Sequence, residues 1–157
     1  MIRPAAALLL AMVAALPQAA LAQGKAKQCL TSAEAQADRL VRHGVFLREA
    51  ANRCDEIVPG LREKWTAFDK ANGPRLRQQT ERRMKVFQRE FKDEWKQAMT
   101  YFDARLVTYH RHMPLTKPFC DNVAALFAEL DRKGWGALVK QSKAVQDQVT
   151  IDYKVCQ

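Results

Sequence analysis

The sequence is poor in glycine and proline, with six of each among 157 residues. Such a composition, together with frequent Ala, Gln, Arg, Lys and Glu, argues against an all-β sandwich. No stretch shows the alternation of apolar and polar residues that marks a half-buried strand. We therefore expect one all-α domain: an elongated helical bundle of three long segments, partly kinked or broken, stapled by disulfides.

Motifs for catalysis and for cofactor binding are also absent. The chain has no GxSxG, HExxH, P-loop or GxGxxG motif. It also has no CxxC or CxxCH, which excludes a thioredoxin-like dithiol, a zinc ribbon and covalent c-type haem. We expect a protein that is not an enzyme and carries no cofactor.

Long apolar runs are missing apart from one at the N-terminus. Residues 1–22 have the pattern of a signal peptide: Arg3, an apolar stretch from Ala5 to Leu16, and small residues at the cleavage site near Ala22. The stretch is short for a membrane span, so an N-terminal anchor is the weaker alternative. Cleavage removes 22 residues, of which Arg3 is the one charged residue. The chain of net charge +9 then becomes a mature chain of 135 residues with net charge +8. The mature chain is thus expected to lack an integral span and to be periplasmic or secreted.

All four cysteines lie in the predicted mature chain: Cys29, Cys54, Cys120 and Cys156. An even number of cysteines in an oxidising compartment predicts two disulfides. If residues 32–72 form one helix, Cys29 and Cys54 lie about 37 Å apart at 1.5 Å per residue, too far to pair. An up-down-up path then favours Cys29–Cys120 with Cys54–Cys156.

A second connectivity follows if the chain turns back at glycines. Turns at Gly44 and at Gly134–Gly136 would give Cys29–Cys54 and Cys120–Cys156 instead. The apolar stripe continues through Gly44 without a missed position, which slightly favours the first connectivity.

Helix start and stop signals divide the chain. Thr31 and Glu34 form a capping box, and an apolar stripe then runs to Phe68, with a kink or break expected at Pro59. Asn72-Gly73-Pro74 predicts a stop.

The second segment, from Pro74 to Met113, has no internal Gly or Pro. As one helix it would be about 60 Å long, so it must kink, protrude, or dimerise along the protruding part. The third begins near Pro118 with Thr116 as a cap, is interrupted at Gly134–Gly136, and resumes to about Tyr153.

Positive charge is concentrated on the second segment. Residues 62–114 carry 13 basic and 7 acidic groups. Helical spacing aligns six cations into a basic stripe: Arg75, Arg82, Lys85, Arg89, Lys92 and Lys96. We expect this stripe to contact an anionic partner, although a merely solvated face is the alternative. Nucleic acid is not favoured as the partner, because the aromatic residues are not interleaved with the basic ones.

The chain has three histidines, and two lie where the second segment ends before Pro114. His110, His112 and Met113 have the soft donors that suit copper, which makes them weak candidates for a metal site. Helical positions two apart face different directions, so plain helix-end histidines are the favoured interpretation and no metal is predicted.

In size, basic charge and helical architecture the chain resembles the small periplasmic chaperones of the cradle type. Their repeated Leu-Thr-x-x-Gln motif is absent, since Leu30-Thr31 and Leu115-Thr116 only begin like it. The sequence therefore predicts, without assigning a family, an exported non-enzymatic helical protein that binds an anionic ligand or a protein client. The alternatives are an adaptor subunit of a bacterial envelope complex and a small copper-binding periplasmic protein.

Overall fold

The computed structural model describes residues 29–145 and 155–156. These residues contain no β-strand, so the predicted all-α class is confirmed. The helices are α1 (Ser32–Cys54), α2 (Leu61–Phe91), α3 (Trp95–His112), α4 (Lys117–Lys133) and α5 (Trp135–Ser142), with a 3₁₀ turn (Lys92–Glu94) before α3. The predicted signal peptide, residues 1–22, lies outside the described residues, as does the predicted helix beyond residue 145.

Helix α1 begins as the sequence predicts. The Thr31 hydroxyl accepts from the Glu34 backbone N–H at 3.3 Å, and the Glu34 carboxylate accepts from the Thr31 N–H at 2.9 Å. The helix continues through Gly44, so the alternative turn at this residue is wrong. A Cβ at Gly44 would lie 3.4 Å from Leu76 Cδ2. Gly44 therefore faces Leu76 of α2 where the two helices pack.

The chain reverses completely between α1 and α2. Asp55 Oδ1 accepts from the backbone N–H groups of Gly60 and Arg62, both at 3.1 Å. Gly60 has φ of 91°, a left-handed conformation that glycine adopts at little cost. The break expected at Pro59 is thus confirmed, and it turns α2 back along α1.

The predicted stop at Asn72-Gly73-Pro74 is wrong, because α2 continues through it to Phe91. Pro74 is exposed, so water can satisfy the carbonyl that the proline leaves without a donor. The Asn72 amide donates to the Phe68 carbonyl at 3.2 Å instead of capping the helix end. Packing of Leu76 against α1 then favours continued helix over a turn.

The predicted uninterrupted helix over 74–113 breaks at the 3₁₀ turn. Lys92 has φ of 48°, a conformation that side-chain-bearing residues rarely adopt. The turn folds α3 back so that Phe102 packs on Phe87 and Phe91, with ring centroids 5.8 and 6.2 Å apart. Of the three outcomes expected for a 60 Å helix, the kink is the one observed.

The disulfides join Cys29 to Cys156 and Cys54 to Cys120, with Cα atoms 5.0 and 5.3 Å apart. Two disulfides were predicted correctly, but both predicted connectivities are wrong. The reason is the position of the reversals: the chain turns after Cys54 and again after α2, so α1 and α3 finish at the same end of the bundle. Arg53 marks this meeting point, donating to the His110 and Met113 carbonyls at 2.8 and 2.7 Å. Cys120, in the first turn of α4, therefore meets Cys54.

Helices α4 and α5 close the bundle. The Thr116 hydroxyl caps α4 by accepting from the Phe119 N–H at 3.3 Å, and Gly134, with φ of 51°, separates α4 from α5, as predicted. Helix α5 ends at Ser142 rather than continuing through residue 145. The core around the buried disulfide consists of Leu40, Leu47, Ala50, Ala51, Cys54, Leu61, Phe68, Cys120, Val123, Phe127, Leu130, Ala137 and Leu138. Over residues 29–145 and 155–156, no helix is long and apolar enough to cross a membrane.

Candidate functional site

The arginines of α2 lie in two environments, one buried between helices and one exposed to solvent. Arg83 lies in the buried, inner environment. Its guanidinium donates to Asp38 on α1 at 2.8 Å and to Asp103 on α3 at 2.6 Å. Asp38 also pairs with Arg42 at 2.8 Å. Burial acts to lower the pKa of Arg83, but the two carboxylates outweigh burial and raise this pKa above its ordinary value. Arg83 therefore stays charged and ties three helices together.

Five cations of the basic stripe lie in the outer environment. They are exposed, and in the described part of the chain no carboxylate lies within ion-pairing distance of them. Two touch aromatic rings instead: Arg75 lies 5.8 Å from the Trp135 ring centroid, and Lys96 lies 5.6 Å from that of Trp95. The five are Arg75, Arg82, Lys85, Lys92 and Lys96.

Arg89, the sixth stripe residue, is tied into the fold. It donates to Glu34 at 2.6 Å and to its neighbour Glu90 at 3.0 Å. Burial acts to raise the pKa of Glu34, but the bonds from Arg89 and Thr31 outweigh it and lower this pKa. Arg89 thus joins α2 to the start of α1.

The basic stripe is not continuous as a surface. The turn at Lys92 takes Lys92 and Lys96 off the axis of α2. Arg75, Arg82 and Lys85 stay together on one exposed face of α2, and the ten helical steps from Arg75 to Lys85 span about 15 Å along the axis. We call these three residues the basic face.

The structure brings together only two of the three weak metal candidates. His110 Nδ1 lies 3.5 Å from Met113 Sδ. His112 Nδ1 instead donates to the Thr108 carbonyl at 2.8 Å, on the exposed side of α3. Within the described ranges, no group of three His, Cys, Asp or Glu side chains could hold a metal ion.

A cavity of about 580 Å³ lies where α1, α3, α4 and α5 meet. Its size falls within the range of small-molecule sites. The apolar lining residues are Phe46, Leu106, Met113, Leu126, Ala144 and Val145. The polar lining residues are Arg42, His43, Tyr109, His110, Lys140 and Gln141.

A hydrogen-bond chain fixes His43 in the cavity wall. The Gln141 amide nitrogen donates to the Leu126 carbonyl and to Glu129, both at 3.1 Å. The Gln141 oxygen must then accept from His43 Nε2, which lies 3.0 Å away. The neutral ring therefore keeps its proton on Nε2 and a lone pair on Nδ1.

Burial favours the uncharged form of both cavity histidines. Burial lowers the pKa of His43, and the hydrogen bond to Gln141 opposes this only in part. Burial also lowers the pKa of His110; Glu49 opposes the shift, whereas His43 and Arg42 add to it. The two rings pack on Phe46, with centroids 5.7 and 5.3 Å away. The cavity wall is thus aromatic and largely uncharged.

Sequence reasoning missed the cavity. His43 directly precedes Gly44 of the apolar stripe and lies beside the buried face of α1, a signal that it is not a surface histidine. No local signal points to Gln141, because its role depends on the docking of α5. No protein-family model matches this chain, and no curated protein or solved structure matches it.

Proposed function

We propose that this is an exported, non-enzymatic binding protein whose basic face contacts an anionic surface of the cell envelope. The observation that carries the proposal is that some cations of α2 are paired with carboxylates and others are not. Arg83 and Arg89 are paired with carboxylates of the fold, whereas Arg75, Arg82 and Lys85 have none within reach among the described residues.

The spacing of the basic face supports an extended partner. Three cations over about 15 Å cannot converge on one small anion, but they can meet separate negative charges on a surface. Phosphate-bearing lipid or lipopolysaccharide headgroups have this repeated charge, and each cation near an anionic surface contributes about 1 kcal/mol to binding. An acidic protein client is the alternative partner for the same face.

Export is supported by two features. The sequence has a signal-peptide pattern over residues 1–22. All four cysteines are paired, as is common in oxidising compartments.

The test is binding to vesicles that contain anionic lipid, compared with neutral vesicles. The double variant R82Q/K85Q should bind at least tenfold more weakly, because two surface cations near an anionic membrane contribute about 2 kcal/mol. Binding of the unchanged protein should fall with added salt.

The matched control is K70Q/R77Q. Lys70 and Arg77 are also exposed on α2, and they lie roughly 100° around the helix from the basic face. This control removes the same charge and should keep most of the binding. Equal losses in both variants would mean that only net charge matters, and unchanged binding of R82Q/K85Q would reject the basic face as the contact.

A further inference from the structure

We propose that the cavity is a second site, independent of the basic face, and that it binds a long-chain carboxylic acid, with the alkyl chain inside the cavity and the carboxylate at Lys140. The alkyl chain would contact Phe46, Leu106 and Leu126.

The lining favours an alkyl chain. Six of the twelve lining residues that the structure describes are apolar, and the rings of the two histidines pack against Phe46. Gln141 has its oxygen and its amide nitrogen engaged in hydrogen bonds, so it requires nothing from a ligand. Because Gln141 and His43 Nε2 are already engaged, a ligand with many polar groups would find few free partners here, whereas an alkyl chain requires none.

The charged residues of the cavity lining favour a ligand with an acidic group at the cavity opening. Among the described lining residues, Arg42 and Lys140 are charged and both are cations. The carboxylates that pair with them, Asp38 and Glu129, are not part of this lining. The side chain of Arg42 is 3% exposed and that of Lys140 is 71% exposed. Lys140 can therefore exchange its 3.2 Å contact with Glu129 for a ligand carboxylate at the opening.

The three histidines of the chain allow a direct test of location. Dodecanoate, added below its micelle concentration, should shift the ring resonances of His43 and His110 in a histidine-labelled sample. His112, outside the cavity on the exposed side of α3, should not move. Dodecyltrimethylammonium, with the same chain length and the opposite charge, should cause a clearly smaller shift at equal concentration, because it cannot pair with Lys140.

Two variants with matched controls test the contacts. K140Q should weaken dodecanoate binding about threefold to fivefold, the range expected for an exposed ion pair, while K143Q should change it less than twofold. A144W should place an indole in the cavity and weaken binding more than tenfold. A125W, at an exposed position of α4 outside the lining, should leave binding intact.

The proposal is overturned if neither cavity histidine shifts, if the cationic detergent shifts them equally, or if K143Q matches K140Q. The histidine shifts require no variant, so the proposal stays testable even if A144W does not fold. R82Q/K85Q should bind dodecanoate like the unchanged protein, which separates failure of this site from failure of the basic face.

Discussion

The inner and outer sides of this bundle place the same residue types in opposite settings. Arg83 is buried between two carboxylates, whereas its neighbour Arg82 is exposed without one among the described residues. His43 lies in the wall of a cavity, whereas His112 is exposed on α3. The difference shows that position on a helix, rather than residue type, separates the groups that hold the fold from those available to a partner.

The two disulfides give the largest expected effect. Cys54 and Cys120 are fully buried in the core, whereas Cys29 is exposed. C54A/C120A should lower the free energy of unfolding by about 4 kcal/mol, measured by urea denaturation, because the bridge closes a loop of 66 residues.

The order in which the two disulfides are reduced tests the same difference in burial. Under mild reductant, alkylation followed by mass spectrometry should find Cys29 and Cys156 first. Equal alkylation of all four cysteines would contradict the difference in burial between the two disulfides.

The neighbouring residues Arg83 and Arg82 give the second largest expected effect on the free energy of unfolding. R83M should lower the free energy of unfolding by about 3 kcal/mol, since it leaves Asp38 buried with only one of its two cations. R82M should change it by less than about 0.5 kcal/mol, as usual for surface positions. Urea denaturation of both variants checks this, and similar losses would show that the two positions do not differ as described.

The histidines give the smallest effect. Burial lowers the pKa values of His43 and His110 in the folded protein, so below about pH 6.5 the unfolded chain binds protons that the folded protein does not. Stability should therefore fall as pH drops from 6.5 to 5.5, by at most about 1.4 kcal/mol for each histidine. H43Q/H110Q should flatten this slope and H112Q should not. If the H43Q/H110Q variant keeps the same slope, the pH dependence of stability arises from other groups.

Other charges around these histidines shape the same profile. Glu49 raises the pKa of His110 and Arg42 lowers it. The pKa of Glu49 itself lies below its ordinary value, because bonds from Arg111 and Arg48 outweigh its burial. Glu49 therefore stays ionised over the proposed pH range and does not produce the slope.

Local signals in the sequence predicted the fold class and several helix ends. The Thr31 and Thr116 caps and the breaks at Pro59 and Gly134 depend on a few adjacent residues, and each is found as predicted. Pro74 misled the prediction because the helix continues through a proline on its exposed side, while Leu76 packs near Gly44 of α1.

Long-range features could not be read from the sequence. Nothing near Lys92 marks a turn; the chain bends there because α3 packs its aromatic side on Phe87. That bend and the reversal at Gly60 decide which helix ends meet, and hence the disulfide pairing and the cavity. The basic stripe was visible as a pattern, but only the fold shows that Glu34 engages Arg89.

Binding of R82Q/K85Q to anionic vesicles, measured beside its free energy of unfolding, decides whether the basic face is the contact. We expect a stability within about 1 kcal/mol of the unchanged protein, since each surface substitution changes it by about 0.5 kcal/mol or less, together with binding at least tenfold weaker. Unchanged binding, or a loss matched by K70Q/R77Q, would contradict it.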